Sequence, residues 1–249
     1  MSYGIANLSI VPLRIEPADT TELLSQVLYG ELFKVIERRK KWSKIRLTDD
    51  KFEGWIDNNQ YVAISETDYD TLNGAPLKLS ADLLEFIQDS QNQLITIPLG
   101  SSLVPLEYLN HTYDGHAIEG RQSKSRIIDT AFLYRNAPYL WGGKTPFGID
   151  AAGFTQMVYK LNGYPLSRAV EEQAKQGEAL SFIEESEVGD LAFFDDHEGQ
   201  IVHVGIIMPD NYIIHAYGKV RIDRLDHSGI YNVDTKMHTH KLRVIKKII

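Results

Sequence analysis

Along residues 7–64, apolar positions come in short runs broken by turn residues: Leu8 to Arg14, Glu31 to Glu37, Trp42 to Leu47 and Gly54 to Asp57. Runs of that length and spacing predict the strands of a small antiparallel barrel or sandwich, not helices. Residues 66–121 carry a weaker pattern. Ser80 ahead of Leu83, Leu84 and Ile87 predicts a short capped helix, followed by strands around Leu94 to Ile97 and Ser102 to Leu106. The stretch His111 to Lys124 is poor in aliphatics and is expected to hold a boundary. From Ser125 the period becomes helical, first over Ser125 to Leu133. A second stripe of Phe154, Met157, Val158 and Leu161 lies between Asp150 as N-cap and Asn162-Gly163 as stop. A third short helix ends near Gly177. Strands then follow at Asp190 to Phe194, Val202 to Met208 and Tyr212 to Ala216, with Pro209-Asp210-Asn211 as the last turn. Helices followed by consecutive strands predict an α+β unit with an antiparallel sheet. The expected domains are residues 1–65, 66–121 and 122–249.

Composition narrows the function classes. The net charge of −8 over 249 residues argues against a nucleic-acid partner, since phosphate binding needs a surplus of clustered Lys and Arg. Cysteine is absent, so the chain as written holds no disulfide, thiolate metal site or thiol nucleophile. No apolar run approaches the length of a spanning helix, so no membrane insertion is expected. The N-terminus lacks a basic start followed by an apolar core. A cytoplasmic location is therefore expected if Met1 is the native start, and export if the sequence is a piece of a longer protein.

Chemistry concentrates in the second half. The segment Pro138-Tyr139-Leu140-Trp141-Gly142-Gly143 leads to Gly148-Ile149-Asp150-Ala151-Ala152-Gly153-Phe154, and blocks follow at Gly189 to Phe194, His203-Val204-Gly205-Ile206 and Ile213-Ile214-His215-Ala216. A residue at the first turn of a helix meets unpaired backbone N–H groups and the positive end of the macrodipole, where a thiol becomes reactive near neutral pH. Position 151 is such a place. His203 and His215, twelve residues apart across a turn, are placed to lie side by side as a base and its orienter.

These four ordered blocks resemble the NlpC/P60 family of papain-like cysteine peptidases. The early residues, with Gly30-Glu31, the alternating Trp42 to Leu47 and Gly54-Trp55-Ile56, resemble the bacterial SH3 (SH3b) repeat. The resemblance implies an α+β papain-like domain preceded by two small all-β SH3b-like barrels. It implies that position 151 is the nucleophile's, His203 the general base, His215 its orienter and Tyr139 a hydroxyl helping the oxyanion. Asp150, Ala152, Arg168, Ala169 and Trp141 are the implied substrate-binding positions, although Trp141 reads equally well as a core aromatic. The implied substrate is a cell-wall peptide of the L-Ala-γ-D-Glu-diamino acid type, cut at the γ-D-glutamyl to L-diamino acid bond. No cofactor and no metal is implied, and the SH3b-like units leave room for a protein partner.

The chain departs from the family at two points. Ala151 stands where the family carries cysteine, and a methyl group cannot attack a carbonyl. Ala169 stands where members that bind a free amino terminus carry an aspartate, leaving Asp150 as the implied remaining carboxylate. An engineered exchange explains Ala151 alone; natural loss explains both. The chain as written is therefore expected either to be an inactive form of the endopeptidase or to act as a non-catalytic peptide- or protein-binding module. Elsewhere, Asp195-Asp196-His197-Glu198 reads as a solvated hairpin loop, Arg38-Arg39-Lys40-Lys41 as a hairpin tip, and His238 and His240 as surface histidines sharing one strand face with no further ligand nearby.

Overall fold

A computed structural model describes residues 2–249, which divide into two units with the break between Arg121 and Gln122. In the first, β1 (Ser2–Ile5), β2 (Ile10–Arg14), β3 (Leu23–Leu28), β4 (Leu32–Arg38), β5 (Trp42–Leu47), β6 (Glu53–Asp57) and β7 (Val62–Ile64) form one antiparallel sheet in the order β3-β2-β6-β5-β4-β1-β7. Period-two alternation sends Val11, Leu13, Phe33, Val35, Ile45 and Leu47 into a common core. The basic run lies at the exposed tip joining β4 to β5. Its Arg39 is not simply solvated, because the guanidinium sits 4.4 Å over the Trp55 ring and pairs with Glu37 at 2.7 Å.

Residues 66–121 differ from expectation. The helix there is α1 (Glu66–Asn73), started by the Ser65 hydroxyl, which accepts from the Asp68 N–H at 3.1 Å. Its Tyr69 and Leu72 pack against Tyr3, Ile5 and Ile64. The stretch expected to be helical after Ser80 forms strands instead, among β8 (Lys78–Ser80), β9 (Leu84–Gln88), β10 (Leu94–Pro98), β11 (Thr112–Tyr113) and β12 (Ala117–Glu119). Ser80 caps no helix; its hydroxyl donates to the Pro98 carbonyl and accepts from the Ser101 N–H, closing a bend between strands. Residues 102–106 give one bridge, Leu79 with Ser102, and then a turn, since Pro105 has no N–H for a ladder.

The second unit opens with α2 (Ile127–Leu133), a ribbon of β13 (Lys144–Thr145) and β14 (Gly148–Ile149), α3 (Ala151–Leu161) and the short α4 (Val170–Gln173). Seven strands follow: β15 (Glu178–Leu180), β16 (Leu191–Asp195), β17 (Ile201–Met208), β18 (Tyr212–Tyr217), β19 (Lys219–Asp226), β20 (Gly229–Asn232) and β21 (Met237–Lys247). They pair antiparallel in the order β15-β21-β16-β17-β18-β19-β20, and a further pairing of β20 with β21 closes β16 to β21 into a ring. Ala192, Phe194, Ile207, Ile213, Leu225, Ile230 and Ile245 fill one cluster of this unit. Helix α3 packs on β17 and β18, with Phe154, Met157 and Val158 fully buried. The loop at Asp196 to Gly199 is exposed as expected, but Asp195 is not part of it. It ends β16 as a buried carboxylate, with Arg243 at 3.7 Å and Lys241 at 3.9 Å. Among the described residues no helix is long and apolar enough to cross a membrane.

Candidate active site

Helix α3 starts where it does because Asp150 stops the chain before it. With extended backbone, Asp150 caps the helix by accepting the Gly153 N–H on Oδ1 at 2.6 Å. Its Oδ2 accepts the Gly142 N–H at 2.8 Å, and the Arg168 guanidinium reaches both oxygens, at 3.1 and 2.5 Å. The carboxylate is thus engaged on four protein N–H groups. Gly153 is required by close approach: a Cβ there would lie 2.3 Å from the Gly143 carbonyl oxygen. The Trp-Gly-Gly segment and the helix start are therefore pressed together.

Ala151 occupies the first helical position and is buried. Ala152 behind it is also buried, and its carbonyl accepts from Gln173 Nε2 at 2.9 Å. Gln173 is fully buried, also donates to the Ser167 carbonyl at 2.8 Å and accepts the Thr155 hydroxyl at 2.7 Å, so it ties the α4 segment to α3. Ala169 is the residue before α4 and offers no side-chain cap. Tyr139 is 40% exposed, held by its backbone N–H on the Gly218 carbonyl at 3.0 Å. Its phenol is pushed up by burial and by the Asp150 charge, with Arg168 opposing. Trp141 is 61% exposed, so it is not a core aromatic.

The two histidines meet. His203 on β17 and His215 on β18 are buried, with His203 Nε2 2.8 Å from His215 Nδ1. Gly205 makes this possible, because it pairs with His215 across the ladder and a Cβ there would meet the His215 Cβ at 2.9 Å. The chain continues to a residue that sequence reasoning missed: His215 Nε2 lies 3.0 Å from Asp223 Oδ2 on β19. Asp223 is fully buried and is held by Arg221, at 2.7 and 2.9 Å, and by the Val233 N–H at 3.0 Å. Burial opposes its charge, but the His215 and Arg221 hydrogen bonds prevail and hold the carboxyl well below the usual range. An ionised Asp223 only accepts, which fixes the proton order. His215 donates from Nε2, its Nδ1 accepts from His203 Nε2–H, and His203 Nδ1 is left with a free lone pair.

His240 corrects the expectation of two surface histidines on one face. The ladder between β20 and β21 shifts so that Ile230 faces His240 while Tyr231 faces His238, leaving Thr239 as an extra residue. One inserted residue reverses a period-two pattern. His238 remains outside on Asp226 at 2.9 Å, and His240 turns onto His203, stacking at 4.1 Å between ring centres.

Burial lowers all three imidazoles. His203 is held well below the ordinary histidine value, with the neighbouring His215 and His240 adding to it; His215 is lowered despite Asp223; His240 is pushed down to about 4. In the unfolded chain they take up protons near pH ~6.5. Between that value and the folded ones, the unfolded state binds more protons, so stability is full above about pH 6.5 and falls as the pH drops toward about 4. Unfolding free energies from urea titrations at intervals from about pH 7 to pH 4.5 are expected to fall, with up to about 2 kcal/mol from His240 alone before discounting for its partial exposure. A His203→Gln, His215→Gln, His240→Gln variant should show a flatter profile. An equally steep fall in that variant would refute neutral buried imidazoles.

With this geometry in place, comparisons with known proteins bear on it. The NlpC/P60 family matches residues 136–239, and the bacterial dipeptidyl-peptidase Sh3 domain matches residues 13–60. The chain is similar to the gamma-D-glutamyl-L-lysine dipeptidyl-peptidase of Bacillus subtilis (strain 168), 37% identical over 92 residues, which are 36% of this chain and 31% of that protein. It is similar along most of its length to dipeptidyl-peptidase 6 of Lysinibacillus sphaericus, 26% identical over 86% of this chain and 88% of the relative. Among solved structures, an NlpC/P60 family protein from Bacillus cereus ATCC 10987 shares the fold with a TM-score of 0.79, at 17% identity and 99% of both chains. The chain therefore carries an NlpC/P60 domain, with helices and a sheet, behind an all-β bacterial SH3 domain of the dipeptidyl-peptidase kind.

Proposed function

We propose that the second unit is a peptidoglycan-peptide site of the γ-D-glutamyl endopeptidase type, built to cut between γ-D-glutamate and an L-diamino acid. With alanine at position 151 it binds that peptide without cleaving it. The observation that carries this reading is the fixed proton order from Asp223 through His215 to His203, which leaves the lone pair of His203 on Nδ1, in the unit whose helix start holds position 151. A buried histidine with its far nitrogen tied to a carboxylate is the arrangement that activates a nucleophile. The Bacillus subtilis relative is named a gamma-D-glutamyl-L-lysine dipeptidyl-peptidase, which supports the substrate class. Ala151 supports the absence of turnover, because the acyl intermediate needs an atom with a lone pair there. Tyr139 and Trp141, both exposed beside the helix start, serve as peptide-contacting walls in this reading.

Binding is tested by calorimetric titration with an L-Ala-γ-D-Glu-L-Lys peptide. Saturable heat is expected, and a Trp141→Ala variant should weaken it by roughly 10-fold, the loss of one aromatic contact. No heat at millimolar peptide would count against any role for this groove in handling cell-wall fragments.

A further inference from the structure

His203, His215 and His240 each present one ring nitrogen, and the three nitrogens lie within 4.8 Å of one another. We propose that this cluster is a binding site for a single borderline divalent cation of the Zn2+ class, a role that goes beyond the peptide reading above and is argued from separate observations. Zinc takes imidazole nitrogens at about 2.0–2.1 Å, and three histidines with an open fourth position are one of its recurring donor sets. Tetrahedral geometry at that bond length places neighbouring nitrogens about 3.3 Å apart. The 2.8 Å contact between His203 and His215 then has to open by only about 0.5 Å.

The surroundings match what a metal-ligating histidine needs behind it. The far nitrogen of His215 is already held by the Asp223 carboxylate at 3.0 Å, and Nδ1 of His240 by the Thr239 hydroxyl at 2.8 Å, leaving Nε2 of His240 for the ion. The protons balance. The His203 Nε2 proton, which bridges to His215 in the absence of a cation, moves to Nδ1, so Nε2 and His215 Nδ1 both turn lone pairs to the metal without net proton release. His240 stacks on His203 with 24° between the ring planes and must swing off that stack to coordinate. It is the partly exposed member of the three, so it has room to do so and provides the way in. An ion held there removes the basic nitrogen order on which peptide chemistry would depend, so cation binding and proton relay exclude each other.

The test uses the full chain, stripped of metal by chelator. Dialysis against Zn2+ should leave one equivalent bound, and Co2+ in its place should give the intense visible absorption of a tetrahedral, nitrogen-bound ion. His240→Ala should weaken Zn2+ at least about 100-fold, Thr239→Val roughly 10-fold, and His238→Ala not at all. Circular dichroism checks that each variant keeps the fold, and the Co2+ spectrum of the unaltered chain needs no variant. No retained Zn2+, an octahedral Co2+ spectrum, or uptake that follows His238 instead of His240 would each overturn the assignment.

Discussion

Replacing Ala151 by cysteine is expected to turn the chain into a peptidase. The new thiol would stand at the first position of α3, where the free N–H groups of the first turn favour an anion. His203 Nδ1 takes the thiol proton while Nε2–H stays on His215, whose own Nε2–H stays on Asp223. The thiolate attacks the γ-carbonyl of D-glutamate and the C–N bond breaks. The amine of the diamino acid leaves with the proton that His203 returns, and water then hydrolyses the thioester. Release of lysine-containing product from γ-D-glutamyl-L-lysine peptides should rise at least about 10³-fold above that of the unaltered chain, the scale of a nucleophile with its base. In the same background, Asp223→Asn should lower kcat by roughly 10²–10⁴-fold, since an amide nitrogen can present a proton to His215 and set the wrong tautomer. Because Ala169 removes the carboxylate implied for a free amino terminus, the double variant with Ala169→Asp is measured alongside. If both cysteine variants stay inert while folding normally, the endopeptidase reading falls.

What the sequence made legible, and what it did not, follows from which signals are local. The helix stripe Phe154, Met157, Val158 and Leu161 and the runs that became β16, β17 and β18 are local patterns, and each element appears within a residue or two of its expected span. His203 and His215 were recognisable because a short turn joins their strands. Asp223 was not. In Lys219 to Asp226 the apolar residues Val220 and Ile222 alternate with Arg221 and Asp223, which by period alone assigns the charged positions to solvent. The closing pair between β20 and β21 overrides that assignment at Asp223, because it makes a ring whose Asp223 side is buried, while Val220 on the opposite side is buried as well. His240 depended on one inserted residue in β21, and no residue type at Thr239 announces it. Ser80 misled for a related reason: a serine ahead of leucines caps a helix or closes a strand bend equally well, and long-range partners at Pro98 and Ser101 decided between them.

Removing Arg168 is expected to cost more stability than any other single change near the site. Its side chain is 4% exposed and that of Asp150 12%, and the pair is bidentate at 3.1 and 2.5 Å. Arg168→Ala leaves the Asp150 carboxylate buried on two backbone N–H groups, with a void where the guanidinium lay. Breaking a buried pair from one side costs about 3–5 kcal/mol, against ~1 kcal/mol for loss of a helix cap alone. The excess comes from the stranded charge rather than from the lost attraction, which makes the idea separable by a double change. Asp150→Asn with Arg168→Met keeps an oxygen to cap Gly153, fills much of the volume and leaves no unpaired charge. It should therefore recover a large part of the loss, giving a coupling energy of roughly 2 kcal/mol in a urea-unfolding cycle. Additive losses in that cycle would mean that Asp150 and Arg168 act separately, and that the start of α3 is held by its cap and the Gly153 to Gly143 contact alone.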